Sequence, residues 1–130
     1  MIVADTNVIV RFLVEDHPAQ ASKAVKLLRS GNVVLLASVV METEWVLRSI
    51  YKLSRTEIVS VLQKLLALEK LHIPDLDIVI RAHRGYAAGM DFAGALHLAS
   101  STSSGKFATF DAGLKRQAAR IGGFVPVVSP

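Results

Sequence analysis

The chain has 130 residues, 52% of them hydrophobic, which is enough for one compact core and short of two ordinary domains. Lys and Arg number 15 against 11 Asp and Glu, and the resulting +4 suits polyanions without the charge density of a tight nucleic-acid clamp. Cysteine is absent, which excludes disulfides, thiolate zinc sites and cysteine nucleophiles and makes the cytoplasm the expected compartment.

Aromatic residues make up only 6% of the chain, so a core of Leu, Val, Ile and Ala is expected, which suits helices on a buried parallel sheet and an α/β fold. Asp5 and Arg11 interrupt the apolar N-terminal run and no basic leader precedes it, so no signal peptide is expected. No stretch reaches the roughly 18 uninterrupted apolar residues of a membrane span. The mean hydropathy of +0.42 is therefore assigned to a buried core.

In chain order, Ile2 to Ala4 reads as a short, β-branched central strand ending at Asp5. Asp5 and Thr6 are placed to cap a helix from Val8 to Val14, and Pro18 to open another through Leu28, stopped by Gly31 and Asn32. Val33 to Ala37 follows as a second strand, and Ser38 is the expected cap of a helix from Val39 to Tyr51. Ser54 starts a helix from Arg55 to Leu68 with Ile58, Leu62 and Leu65 on one face, and these two helices are expected to form a hairpin. Leu71 to Ile73 reads as an edge strand, Leu76 to Ala88 as a helix ended by Gly89, and Phe92 to Ser101 as an Ala-rich helix. Lys106 to Phe110 is a strand leading to Asp111 at the start of a last helix, and Phe124 to Val128 closes the chain as a strand. The whole, residues 1–130, is expected to be a single domain without linker or repeat.

In open parallel sheets the strand C-termini face one crevice, where loops and helix starts converge. Asp5, Glu42, Asp91 and Asp111 all fall at such places and are expected at one edge. Clustered carboxylates repel unless a cation neutralises them, and an all-oxygen donor set favours Mg²⁺ or Mn²⁺ over zinc. Such ions activate water for phosphodiester hydrolysis. Taken singly, Asp5 reads equally well as a helix cap, Asp91 and Asp111 read more readily as caps than as ligands, and Glu42 or Glu44 more readily as a solvated charge.

Other chemistries find less support. His17, His72, His83 and His97 lack the spacing that puts two imidazoles on one metal, and read as surface or packing residues. Ser38, Ser100, Ser101, Ser103 and Ser104 form no nucleophile elbow, and the glycines form no phosphate loop. A flavodoxin-like phospho-receiver is disfavoured by the lack of an adjacent acidic pair after the first strand. Trp45 is expected in the core, with a partner-binding role for the hairpin around it as the alternative. Arg11, Arg48, Lys115 and Arg116 are candidate phosphate contacts.

The segments DTNVIVRFL at 5–13, ETEWVLRSIY at 42–51, DFAGALHLA at 91–99 and TFDAGLKR at 109–116, in this order, resemble the PIN-domain family, and more narrowly VapC-type ribonuclease toxins of toxin–antitoxin pairs. The resemblance covers nearly the whole chain and implies a parallel sheet of about four to five strands flanked by helices. It also implies an acidic pocket that binds Mg²⁺ or Mn²⁺ to cut RNA, transfer RNA or another structured RNA being the substrate class. By position, Asp5 matches the first acid, Glu42 the second, three residues before Trp45, and Asp111 the last, with Thr109 close by. Where the pattern reads DFADAL this chain reads DFAGAL, so Gly94 stands at an expected metal-ligating Asp, with Asp91 one turn earlier as a substitute ligand. Glycine offers no evident structural benefit inside a helix. The resemblance therefore implies an endoribonuclease of reduced activity or, alternatively, a catalytically silent protein that still binds antitoxin or RNA. A VapB-type antitoxin and a homodimer are further implications.

Overall fold

The computed structural model describes residues 1–101 and 104–130, so Ser103 lies outside the described residues. The chain divides into two compact units, residues 1–76 and 77–130.

In the first unit the elements run β1 (Ile2–Val3), α1 (Thr6–Leu13), α2 (Pro18–Arg29), β2 (Val33–Val34), α3 (Ala37–Ser49), α4 (Arg55–Leu66) and β3 (Leu71–His72). The strands form a parallel sheet in the order β1-β2-β3, with Val33 opposite both Ile2 and Leu71. α1 packs on α2 and α3, and α3 on α4, which is the expected hairpin. Ile9, Val10, Val33, Leu35, Val40, Leu47, Ile58, Leu62 and Leu65 are buried, as the apolar spacing of each helix dictates.

The second unit contains α5 (Leu76–Ala87, from its second residue on), α6 (Phe92–Ser100), β4 (Phe107–Ala108), α7 (Ala112–Ile121) and β5 (Val127–Val128). β4 and β5 pair in parallel, Phe107 opposite Val127. Tyr86 of α5 meets Phe92 of α6 edge to face, with ring centroids 5.4 Å apart. Gly85 permits this approach, because a Cβ there would lie 2.9 Å from the Met90 sulfur and 3.3 Å from Ala95 Cβ. Arg81 reaches across from α5 to donate to the Ala99 carbonyl, and Gln117 and Arg120 of α7 donate to the carbonyls of Gly89 and Ala88 just past α5.

The α/β class and the parallel pairing agree with the sequence, and two details do not. The strands are two residues long because helix starts cut them short: Asp5 caps α1 two residues beyond Val3, and α3 begins at Ala37, within the expected second strand. Leu36, extended and without a side-chain cap, replaces Ser38 at the α3 start. Within the first unit β1 pairs with β2, and Ile2 and Val3 are 47% and 56% exposed.

Ser54 and Glu57 form a capping box at α4, in which Glu57 accepts from the Ser54 amide at 3.0 Å and the Ser54 hydroxyl accepts from the Glu57 amide at 3.2 Å. The Ser54 amide holds the Glu57 carboxyl below the usual carboxylate range, aided by the Ser54 side chain. A depressed pKa contributes stability above the unfolded value, and that stability is lost as pH falls through the lower folded value. Urea unfolding at a series of acidic pH values should therefore show Glu57→Gln less stable than the parent near neutrality, with the two converging on the acid side.

Candidate active site

Three of the five positions singled out by sequence are helix caps. Asp5 accepts from the Thr6 amide at 2.8 Å, while its carbonyl receives the Val8 and Ile9 amides. Asp91 accepts through Oδ2 from the Gly94 amide at 2.9 Å, and Asp111 through Oδ1 from the Leu114 amide at 3.0 Å. The Asp111 amide in turn donates to Thr109 Oγ1 at 3.0 Å, which fixes the approach to α7. Each carboxylate keeps one oxygen outside its cap and all three residues are exposed. The cap reading is thus correct for all three, and it leaves each an oxygen with which to hold a cation.

In the first unit, α3 separates its two glutamates. Glu44 faces inward, 3% exposed, and binds Arg48 Nε at 2.8 Å with the favourable i, i+4 spacing. Glu42, in the second turn rather than the first, is exposed. Thr43, on the inward face, returns its hydroxyl to the Val39 carbonyl at 2.7 Å. Trp45 is not core: it lies on the outward side, 51% exposed, because Val40, Thr43, Glu44 and Leu47 take the buried face.

In the second unit, Gly94 connects the two caps. A Cβ at this position would lie 3.1 and 3.3 Å from the Leu114 methyl carbons and 3.4 Å from Asp91 Oδ2. Leu114, the residue whose amide Asp111 caps, fills the space that glycine leaves on α6. The expectation that glycine has no structural benefit here is therefore corrected, since it lets α7 approach α6.

Two candidate phosphate contacts are engaged elsewhere. Arg48 is held by Glu44. Arg11 donates from Nε to Gln20 Oε1 at 2.6 Å and from Nη1 to the Tyr51 hydroxyl at 3.2 Å, with Asp16 at 3.8 Å. The Tyr51 hydroxyl donates to Asp16 at 2.9 Å. That bond holds the Asp16 carboxyl below its ordinary range, while burial, then the bond to Asp16, raises Tyr51. The network ties the end of α1 to α2 and to the residues beyond α3, and sequence reading missed it, because nothing in spacing joins residues 11 and 51. Lys115 and Arg116 are exposed on α7. His17, His72 and His97 are exposed and His83 half-buried.

The donor set has the chemistry of a hard divalent ion, being all carboxylate oxygen. Among the described residues, however, no three Asp, Glu or His side chains are grouped as an ion site, and Gly94 supplies no donor. No helix among the described residues is long and apolar enough to cross a membrane.

The PIN domain family model matches residues 2–120, so the chain belongs to the PIN domain family, whose function is of nuclease type. PIN domains generally use divalent metal ions. No curated protein and no solved structure matches the chain significantly.

Cap and ligand roles separate by substitution, since Asn caps as well as Asp. Asp111→Ala should cost about 1 kcal/mol in urea unfolding, whereas Asp111→Asn should stay within a few tenths of the parent. At Gly94 a helix-propensity gain of up to about 1 kcal/mol opposes an overpacking cost of about 1–3 kcal/mol, reduced because the obstructing atoms are mobile methyl groups. Gly94→Ala should therefore lower stability by less than about 1 kcal/mol in the same assay, and a stabilised variant would remove the packing role assigned to this glycine.

Proposed function

We propose that this chain is a VapC-type endoribonuclease toxin, in which residues 1–130 act as one PIN domain in the cytoplasm. Asp5, Glu42 and Asp111 would hold a Mg²⁺ or Mn²⁺ ion, with Asp91 assisting and the Gly94 position deprived of its carboxylate. The match to the PIN family over residues 2–120 carries this reading. The free oxygen on each capping aspartate supports it. When bound, the ion supplies an activated water and neutralises charge on the RNA phosphodiester. The protein's share is to fix its carboxylates, which the caps do by tying one oxygen of each aspartate to a helix start. A VapB-type antitoxin would restrain the activity, and the toxin would act as a homodimer on transfer RNA or another structured RNA.

Gly94 is the feature behind a second reading, in which the chain binds antitoxin or RNA without cutting. Losing one carboxylate of four weakens ion binding, because affinity follows ligand charge and count. The two readings separate in a cleavage assay on total and transfer RNA with Mn²⁺ or Mg²⁺. We expect Gly94→Asp to cut at least about tenfold faster than the parent, Asp5→Asn in that background to abolish cutting, and EDTA to stop it. Cleavage that persists in EDTA refutes the metal mechanism, while equal rates for parent and Gly94→Asp show that Asp91 suffices.

A further inference from the structure

Phe110, between Thr109 and Asp111, is 89% exposed, more than any other large apolar side chain among the described residues. The helix start beside it does not account for it. An apolar residue just before a helix cap ordinarily packs on the fourth helical residue, but at that place α7 has Lys115, itself exposed. The backbone that carries the ring is fixed, because Asp111 caps α7 through Oδ1 and its amide is held by Thr109 Oγ1.

Arg116 turns back toward the same helix start. Its Nη2 lies 3.8 Å, and Asp111 Oδ1 3.2 Å, from the point where a Cβ on Gly113 would stand. Carboxylate and guanidinium thus flank one space that glycine keeps open, and among the described residues Arg116 enters no ion pair.

We infer that Phe110 is a stacking platform for a nucleobase of single-stranded RNA, on the nucleotide whose phosphate lies against Asp111 and Arg116. The inference rests on the ribonuclease reading above and names the side chain that holds its substrate beside the last acid. Every base has a π face, so an exposed aromatic ring grips a single strand without reading its sequence. Consecutive Cα atoms are about 3.8 Å apart, which puts ring and carboxylate within the span of one nucleotide. Arg116 supplies a planar fork that suits a phosphate, and the ion proposed at Asp111 offsets the repulsion between that phosphate and the carboxylate. A protein partner is the poorer occupant, because a specific protein interface buries about 800 Å² on each side. Phe110 is a lone ring whose neighbours Thr109, Asp111, Lys115 and Arg116 are polar.

The test is fluorescence anisotropy with 5′-labelled hexa-uridylate, hexa-adenylate and an abasic hexamer, in EDTA, so that binding is read without cleavage. The parent should bind both base-bearing hexamers more tightly than the abasic one. Phe110→Ala should weaken the base-bearing hexamers at least about fivefold and leave the abasic one unchanged. Phe110→Trp should keep the preference for bases, and Phe110→Leu, apolar but not flat, should lose it. Arg116→Ala should weaken all three hexamers alike and lower the slope of log affinity against log salt by about 0.7. The urea midpoint should not move in any Phe110 variant, because the side chain is exposed. The inference fails if the parent binds base-bearing hexamers no better than the abasic one, or if Phe110→Ala or Phe110→Leu keeps the full preference. It fails also if Phe110→Ala turns a dimer into a monomer in sedimentation while hexamer affinity stays the same, since the ring then belongs to an interface between copies. Base-dependent binding that needs Phe110, with no cleavage by any variant, Gly94→Asp included, would sink the nuclease reading and leave the stacking residue standing. Metal-dependent cleavage by a protein whose binding is indifferent to Phe110→Ala would do the reverse.

Discussion

Helices α1, α6 and α7 each begin on an aspartate whose carboxylate closes the first turn, and the placement of the acidic chemistry depends on that constraint. A cap needs one carboxylate oxygen and fixes the side chain's rotamer in doing so. The other oxygen is left outside the helix, at its electropositive end, held without further cost in conformational freedom. Capping therefore leaves each aspartate one oxygen that does not bond its helix, so a cap does not by itself exclude a ligand role.

Gly94 is where that economy breaks. Its amide is the group that Asp91 caps, so the backbone at 94 still serves the helix start even though its side chain is gone. The space left is taken by Leu114, whose own amide receives Asp111. Asp91 and Asp111 are thereby linked through two backbone amides, those of Gly94 and Leu114, and the packing of the Leu114 side chain against Gly94. A carboxylate at 94 would begin beside the Asp91 oxygen, and like charges at that range are tolerated only when a cation or a proton intervenes.

Much of this was legible beforehand. Pro18 opens α2, Ser54 starts α4, and Gly31 and Gly89, with φ of 79° and 114°, follow α2 and α5 where the residue types demanded a stop. Local chemistry decides such positions, so local sequence reports them. The strands were read too long, because a β-branched run such as Val33 to Ala37 does not reveal that the chain turns helical after two paired residues. At Glu42 and Glu44 spacing alone could not say which faces solvent, and the packing of α3 does, burying Glu44 and leaving Glu42 exposed. The Arg11, Tyr51 and Asp16 network was invisible for the same reason, since it joins residues that only the fold brings together.

That network and the Glu44–Arg48 pair also change what the basic composition means. A polyanion gains affinity by shedding condensed counterions, about 0.7 per phosphate contact on a single strand, and only cations not already matched by the protein can displace them. Arg11 and Arg48, inside two of the four segments that mark the family, are both matched internally. The salt sensitivity of any RNA complex should therefore be set by lysines and by the α7 cations and be shallower than the 15 basic residues suggest. With these two arginines matched internally, the positive charge open to a polyanion is smaller than the net count implies, and charge is the weaker part of any such contact.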